Sequence, residues 1–343
     1  MKTWSVGILG GGGISDTHAR AVDAVSGAEV VAVCGENRGK VARLAERHAA
    51  AAYEDLAPFL KHRPLDVVAI GSPSGRHAEQ ALACARAGLH VLAEKPLALS
   101  TAEVDAVLAA LEVSGTRLGV FFQDRLQPDF VRLKAFLARR GLGRVYLATA
   151  HVKWYRATEY YSSSRWRGTW VEDGGGAVMN QGIHTLDLLL HLLGDVRRVH
   201  GLTRTASHAI EVEDTAVALL EMACGALATY EATTAAFPGY KRRLEVSGEQ
   251  GTIVVEHDRV VAADLRPGTE PFDVSAPAVT GESASSPLVS DAAPHARIFE
   301  DFLEALETGR PPVCDGREGR RSVEVVEALY ASARTGAPVG LTP

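Results

Sequence analysis

Cysteine is scarce in this chain, and what there is has no pattern. Cys34, Cys84, Cys224 and Cys314 are spread over 343 residues with no CxxC spacing. That excludes a disulfide framework or a zinc ribbon and predicts reduced, mostly buried thiols in a cytoplasmic protein. Clustered positive charge is also missing. The net charge is −6, and RRGLGR and KRR read as solvated surface, so no nucleic-acid partner is expected. No apolar run approaches the roughly 20 residues of a membrane span, so no membrane partner is expected. The apolar start, VGILGGGG, reads as a strand and turn rather than a signal peptide. No short-period internal repeat is present. What remains is an ordinary globular composition, 46% apolar and 23% charged, on a chain too long for one typical core. Two domains are expected, residues 1–122 and 123–343.

The first third alternates two patterns. WSVGILG, AEVVAVCG, PLDVVAIGSPS, LHVLAEKP and TRLGVFFQ read as strands, each a short apolar run bounded by turn residues. GISDTHARAVDAV, ENRGKVARLAERH, GRHAEQALACARAG and STAEVDAVLAALEVSG read as helices, the last opened by a Ser100–Glu103 capping box. Repeated βα units imply an α/β domain, a doubly wound parallel sheet with ligands at the C-terminal edge of its strands.

That edge carries a Gly-rich turn. In VGILGGGGISDTH, Gly10, Gly12 and Ser15 fall at the spacing of a Rossmann dinucleotide fingerprint. Gly10 allows the tight turn, Gly12 lets backbone approach a pyrophosphate, and a small residue at 15 lets helix pack on strand. Gly13 and Ile14 then begin a helix whose N-terminal amides suit phosphate. The second strand ends CGENR. Glu36, with Asn37 beside it, suits the ribose hydroxyls of NAD, whereas Arg38 suits the 2′-phosphate of NADP. NAD is favoured and NADP left open. Ser72, Pro73 and His77 follow the third strand at the same edge, and Gln123 ends the fifth.

From about residue 123 the pattern changes. QPDFVRLKAFLARRG is one amphipathic helix. RVYLATAHVKWY, VRRVHGLTRTAS, DTAVALLEMACGALATYEATTA, KRRLEVSGEQGTIVVE and DRVVAADLRP are strand-like runs with short Gly turns. They predict an α+β domain with a mainly antiparallel sheet. The Pro-, Ser- and Ala-rich stretch from 265 to 293 reads as a long surface loop, and HARIFEDFLEALETG and SVEVVEALYASARTG read as closing helices.

In MNQGIHTLDLLLHLLG, Asn180, His184, Asp187 and His191 recur at i, i+4, i+7 and i+11 and would share one helical face. A polar stripe on an apolar helix must face a polar partner, a ligand or water, so it marks the candidate reaction centre. His184 suits a general base, with a reference pKa of about 6.5. Asp187 is placed to hold its ring. The same face permits a metal reading, but His191 near the helix end is favoured by the dipole alone, and no metal is expected. Lys153, Tyr155, Arg156, Tyr160 and Tyr161 mix rings and charges as sugar pockets do. A sheet surface or subunit contact would explain them equally.

VGILGGGGIS, DVVAIGSPSGRHAEQALACARAGLHVLAEKP, WRGTWVEDGGGAVMNQGIHTLDLLLHLLG and EVVEALYASARTGAPV resemble the glucose–fructose oxidoreductase, inositol dehydrogenase and MocA family, across the whole chain. The resemblance implies a Rossmann domain followed by a domain with a large open, mainly antiparallel sheet. The outer face of that sheet would form a homodimer or homotetramer. It implies NAD(P)-dependent hydride transfer with a secondary ring hydroxyl of a sugar, cyclic polyol or sugar derivative. It puts Lys95, preceded by Glu94 in EKP, and His184 beside nicotinamide and substrate, where the Lys95 cation would stabilise a developing alkoxide. Trp166 and Arg167 match a family segment near the cofactor. Asn180 departs from the commonest family pattern, which has Asp there. Asn cannot act as a base but can bond a substrate hydroxyl, and the Asn form resembles dehydrogenases acting at ring carbon 3. Two alternatives stay open: an NAD-dependent glycoside hydrolase or lyase working by transient oxidation and elimination, and a non-catalytic dinucleotide-binding protein.

Overall fold

The computed structural model describes residues 2–275 and 291–342. Most of the loop expected at 265–293 lies outside the described residues. Two compact units are present: residues 2–123 with 291–320, and residues 124–275 with 321–342. The return of 291–320 to the first unit is absent from a linear division at 122/123.

The first unit contains β1 (Trp4–Leu9), α1 (Gly13–Asp23), β2 (Ala28–Cys34), α2 (Arg38–Arg47), β3 (Ala51–Tyr53), α3 (Leu56–Phe59), β4 (Val67–Ile70), α4 (His77–Arg86), β5 (His90–Ala93), α5 (Thr101–Ser114) and β6 (Leu118–Val120). Its six strands are all parallel, in the order β3-β2-β1-β4-β5-β6. The order reverses between β1 and β4, the switch point at which such sheets bind ligands. β1 and β4 are buried at every position, as strands covered on both faces must be. The Ser100 capping box is present at α5. β3 was not expected: three residues pairing only with β2 carry no readable period.

The second unit contains α6 (Pro128–Ala138), β7 (Val145–Lys153), α7 (Thr158–Ser162), α8 (Ile183–Leu193), β8 (Val196–Arg204), β9 (Thr215–Met222), β10 (Leu227–Thr233), β11 (Arg243–Gly248), β12 (Gly251–Glu256) and β13 (Arg259–Leu265). Later in the chain come α9 (Ala293–Thr308), α10 (Gly316–Thr335) and β14 (Val339–Gly340). The sheet has eight strands in the order β13-β12-β11-β7-β10-β9-β8-β14. β10 and β7 are parallel and every other neighbour pair is antiparallel. Its buried face is rich in small residues, including Ala148, Ala150, Ala218, Ala228 and Ala232. These admit a π-helical segment, Ala177–Gly182, directly before α8. The opposite face exposes Leu202, Val217, Leu219 and Leu227. Among the described residues no helix is long and apolar enough to cross a membrane.

Candidate active site

At the first unit's switch point, β1 ends in the glycine turn. Gly10 has φ of +126°, and a Cβ there would come within 2.4 Å of the Ser15 hydroxyl and 2.6 Å of the Gly71 carbonyl oxygen. Only glycine fits both demands. Gly12 caps α1, and a Cβ on Gly12 or Gly13 would meet nothing within 4 Å. Open space therefore lies before a helix N-terminus whose first amides have no intrahelical acceptor. Ile14 and Ser15 sit in that first turn. A cavity of about 530 Å³ beside the turn is lined by Gly11, Gly12, Lys40, Arg43 and Arg47, together with Asp16, Leu44 and Glu46. Gln123 has a buried Oε1 without a hydrogen-bond partner, an acceptor left for a ligand. These features fit a dinucleotide.

The CGENR residues are engaged within the protein. Exposed Glu36 accepts from Arg76 Nη2 at 2.8 Å. Asn37 caps α2 by accepting from the Lys40 N–H at 3.0 Å. Arg38 pairs with Glu54 at 3.0 Å. The Ser72 hydroxyl donates to Gln80 at 2.6 Å, and Pro73 precedes a short 3-10 turn. Buried His77 has Nδ1 2.7 Å from the Pro96 carbonyl oxygen and Nε2 2.9 Å from that of Ser72. Burial pushes this ring below the usual histidine range, while the two carbonyls favour its proton. Glu94 and half-buried Lys95 follow β5 at the same edge.

In the second unit, His184 lies in the first turn of α8 with its Nδ1 3.5 Å from Asp124 Oδ2. The same carboxylate oxygen accepts from Arg242 Nη1 at 2.6 Å, and Arg242 also binds Asp258. Burial opposes the Asp124 charge, but Arg242 and His184 outweigh it and hold the carboxyl at about 2. The only sequence signal for Asp124 is a charged pair that follows the apolar run GVFF after Gln123.

Asp187 is bound by Arg125. Its two oxygens take Nε and Nη2 of Arg125, each at 2.7 Å, with both side chains 1% exposed. Ser322 adds a third bond at 3.1 Å. A bidentate guanidinium satisfies a buried carboxylate better than a ring one turn back. Asn180 does not sit in an α-helical register with His184, since it lies within the π-helical segment that precedes α8. Its Nδ2 donates to Asp173 at 2.7 Å, and the other Asp173 oxygen accepts from the Gly168 N–H at 2.9 Å. An aspartate at 180 would set two carboxylates against each other there, which rationalises the amide.

The expected aromatic cluster divides. Lys153 pairs with Glu231 at 2.9 Å on the sheet face opposite buried Val152, away from the π-helical segment. Its alternating position in β7 dictates that face. Tyr155 packs edge-on to exposed Phe237. Tyr160, however, accepts from Gln181 Nε2 at 3.1 Å and lies under the Arg167 guanidinium at 4.2 Å. Trp166 lies 5.3 Å from the same guanidinium. Arg167, Tyr161, Thr158, Thr169 and His208 line a cavity of about 420 Å³. Among the described residues, the group that is grouped like a metal site is not His184 and Asp187 but His18, Glu94 and His295.

Comparison with known proteins extends this picture. Residues 4–122 match the model described as oxidoreductase family, NAD-binding Rossmann fold, and residues 130–254 match the GFO/IDH/MocA C-terminal domain. D-apiose dehydrogenase of Paraburkholderia graminis is 28% identical over 348 residues, covering 99% of this chain and 90% of that protein. Inositol 2-dehydrogenase 2 of Saccharopolyspora erythraea is 29% identical over 351 residues, covering 99% and 97%. The crystal structure of the WlbA dehydrogenase from Bordetella pertussis, in complex with NADH and UDP-GlcNAcA, aligns with a TM-score of 0.89 at 31% identity and covers 100% of both chains.

Proposed function

This chain belongs to the GFO/IDH/MocA oxidoreductase family and is an NAD-binding dehydrogenase of the sugar and polyol type, and on that premise we propose that it oxidises a secondary ring hydroxyl with Lys95 and His184 at the reaction centre. One observation carries the reading: an ionised carboxylate, Asp124, faces Nδ1 of His184. That favours the tautomer with its proton on Nδ1 and leaves Nε2 as the base.

Bound NAD supplies the acceptor for the hydride of the alcohol carbon. His184 takes the hydroxyl proton at Nε2, and Asp124 stabilises the imidazolium that results. Lys95, a cation at ordinary pH, stabilises the alkoxide as it develops. Asn180, tied to Asp173, offers a hydrogen bond and no base. Gly10, Gly12, Gly13 and Ile14 would hold the pyrophosphate end. Arg167 and Tyr161, lining a cavity that mixes ring faces and polar groups, suit sugar hydroxyls and CH faces. The apolar outer sheet face is covered by a second copy of the chain.

Nicotinamide absorbance during incubation with NAD⁺ or NADP⁺ and a panel of inositols, free sugars, glycosides and nucleotide sugars tests the reading. NADH should accumulate with one sugar class. Lys95→Ala should lose about a hundredfold or more in turnover while still binding NAD; undiminished turnover would remove its role. Glycoside cleavage without net NADH would move the assignment to oxidation-assisted elimination.

A further inference from the structure

His18 on α1, Glu94 at the end of β5 and His295 on α9 are buried together, with one nitrogen or oxygen from each within 4.8 Å of the others. His18 Nε2 is 3.0 Å from Glu94 Oε1, and His295 Nε2 is 3.5 Å from the same oxygen. Glu94 Oε2 accepts from the Lys95 N–H at 3.2 Å. Nδ1 of both rings is buried without a hydrogen-bond partner. Phe121 stacks on His18 at 4.4 Å, and Phe299 packs edge-on to both.

This geometry fixes the protons. A neutral imidazole carries one N–H. On Nε2 that proton meets the Glu94 carboxylate; on Nδ1 it would have no acceptor, and a lone pair would face the anion. Both rings are therefore Nε2–H donors. A metal bound at the same atoms would force both protons onto Nδ1, without the second-shell acceptors that metal-bound histidines normally have. Burial keeps His18 below the usual histidine range, hence neutral. Burial also opposes the Glu94 charge, but hydrogen bonds from His18 and His295 outweigh it, and the carboxyl stays well below its usual range. Among the described residues, His77 on α4 and Lys95 itself are further titratable neighbours. His77 ties down the Pro96 carbonyl, so the residues on both sides of Lys95 are anchored.

We propose that His18, Glu94 and His295 form a positioning triad for Lys95, fixing its backbone through the Glu94 carboxylate and setting how its ammonium group titrates. The catalytic importance of this rests on Lys95 acting at the reaction centre.

The first test needs no turnover. Competitive acetylation of Lys95 across pH in the full-length protein, read by peptide mass spectrometry, follows its titration. Glu94→Gln preserves size and an acceptor oxygen but removes the charge, so Lys95 should titrate about one pH unit lower. His295→Leu should move it the same way, whereas His295→Gln, which retains an N–H donor, should restore it. In turnover, Glu94→Gln and His295→Leu should lower kcat about tenfold or more with KM little changed, and the basic limb should move down with Lys95. Lys95 titrating as in the wild type in both variants overturns the triad. Stoichiometric zinc in the wild type that disappears in His295→Leu overturns it in favour of a metal site. Should Glu94→Gln fail to fold, the two His295 variants decide. If Lys95→Ala keeps full turnover the catalytic reading falls, yet the labelling still decides the triad.

Discussion

The Asp124 carboxylate is shared between Arg242 at 2.6 Å and His184 at 3.5 Å. Asp124→Asn keeps the shape and removes the anion. We expect kcat/KM to fall about a hundredfold. The acidic limb of its pH profile should move to lower pH, because a ring without its carboxylate loses its proton more readily. A fall without movement of that limb would mean that Asp124 serves only to pack Arg242. The helical spacing in the sequence exposes His184 as the polar residue of interest. It does not expose Asp124, which is 184 − 124 = 60 residues away. It offers Asp187 instead, and Arg125 takes both oxygens of that residue. Periodicity tells which side chains share a face, but not which of them a distant cation will claim.

At the scale of elements, the segment before α8 shows where periodicity fails. A period of 3.6 residues per turn would align Asn180 with His184, but Ala177–Gly182 is wound as a π-helix, which inserts a residue and rotates Asn180 out of line. Gly182 permits the close approach behind this. A Cβ there would lie 2.0 Å from the Tyr230 hydroxyl and 2.9 Å from the Ala177 carbonyl oxygen. Gly182→Ala should destabilise the protein by about 3 kcal/mol and lower kcat far more than NAD affinity. Urea denaturation and a cofactor titration measure the two effects, and an unchanged midpoint would mean that the helix can shift without cost. Strands buried on both faces, such as β1 and β4, were legible because continuous apolar runs demand them. β3 was not, because its register is set by β2 rather than by its own side chains.

At the scale of the molecule, buried charge makes stability depend on pH. Glu94 and Asp124 have folded values below their reference values of 4.5 and 3.8. Their contribution is therefore complete above those values and is lost as pH falls through them. His18 and His77 are held below 6.5 and act in the same direction, since only the unfolded rings gain protons as acid is added. Glu213 opposes them: burial pushes it up to about 7, so it costs stability as pH rises from 4.5 to 7. Urea midpoints should change little between about pH 7 and 5 and fall steeply below about 4.5. Glu94→Gln should make that fall shallower; an identical fall would show that Glu94 is not the group responsible. The exposed sheet face sets a second expectation. Light scattering should report a dimer or tetramer, and Leu219→Lys, at a position 61% exposed, should lower the mass. A monomeric wild type would remove the self-association proposed for this face.

The return of residues 291–320 to the first unit bears on recombination. A single crossover after residue 123, exchanging the nucleotide-binding half between two relatives, would leave α9 behind. Glu94 would then descend from one parent and His295 from the other. A working hybrid needs further seams close to the two ends of the returning segment. Such a chain is easier to inherit whole than to shuffle.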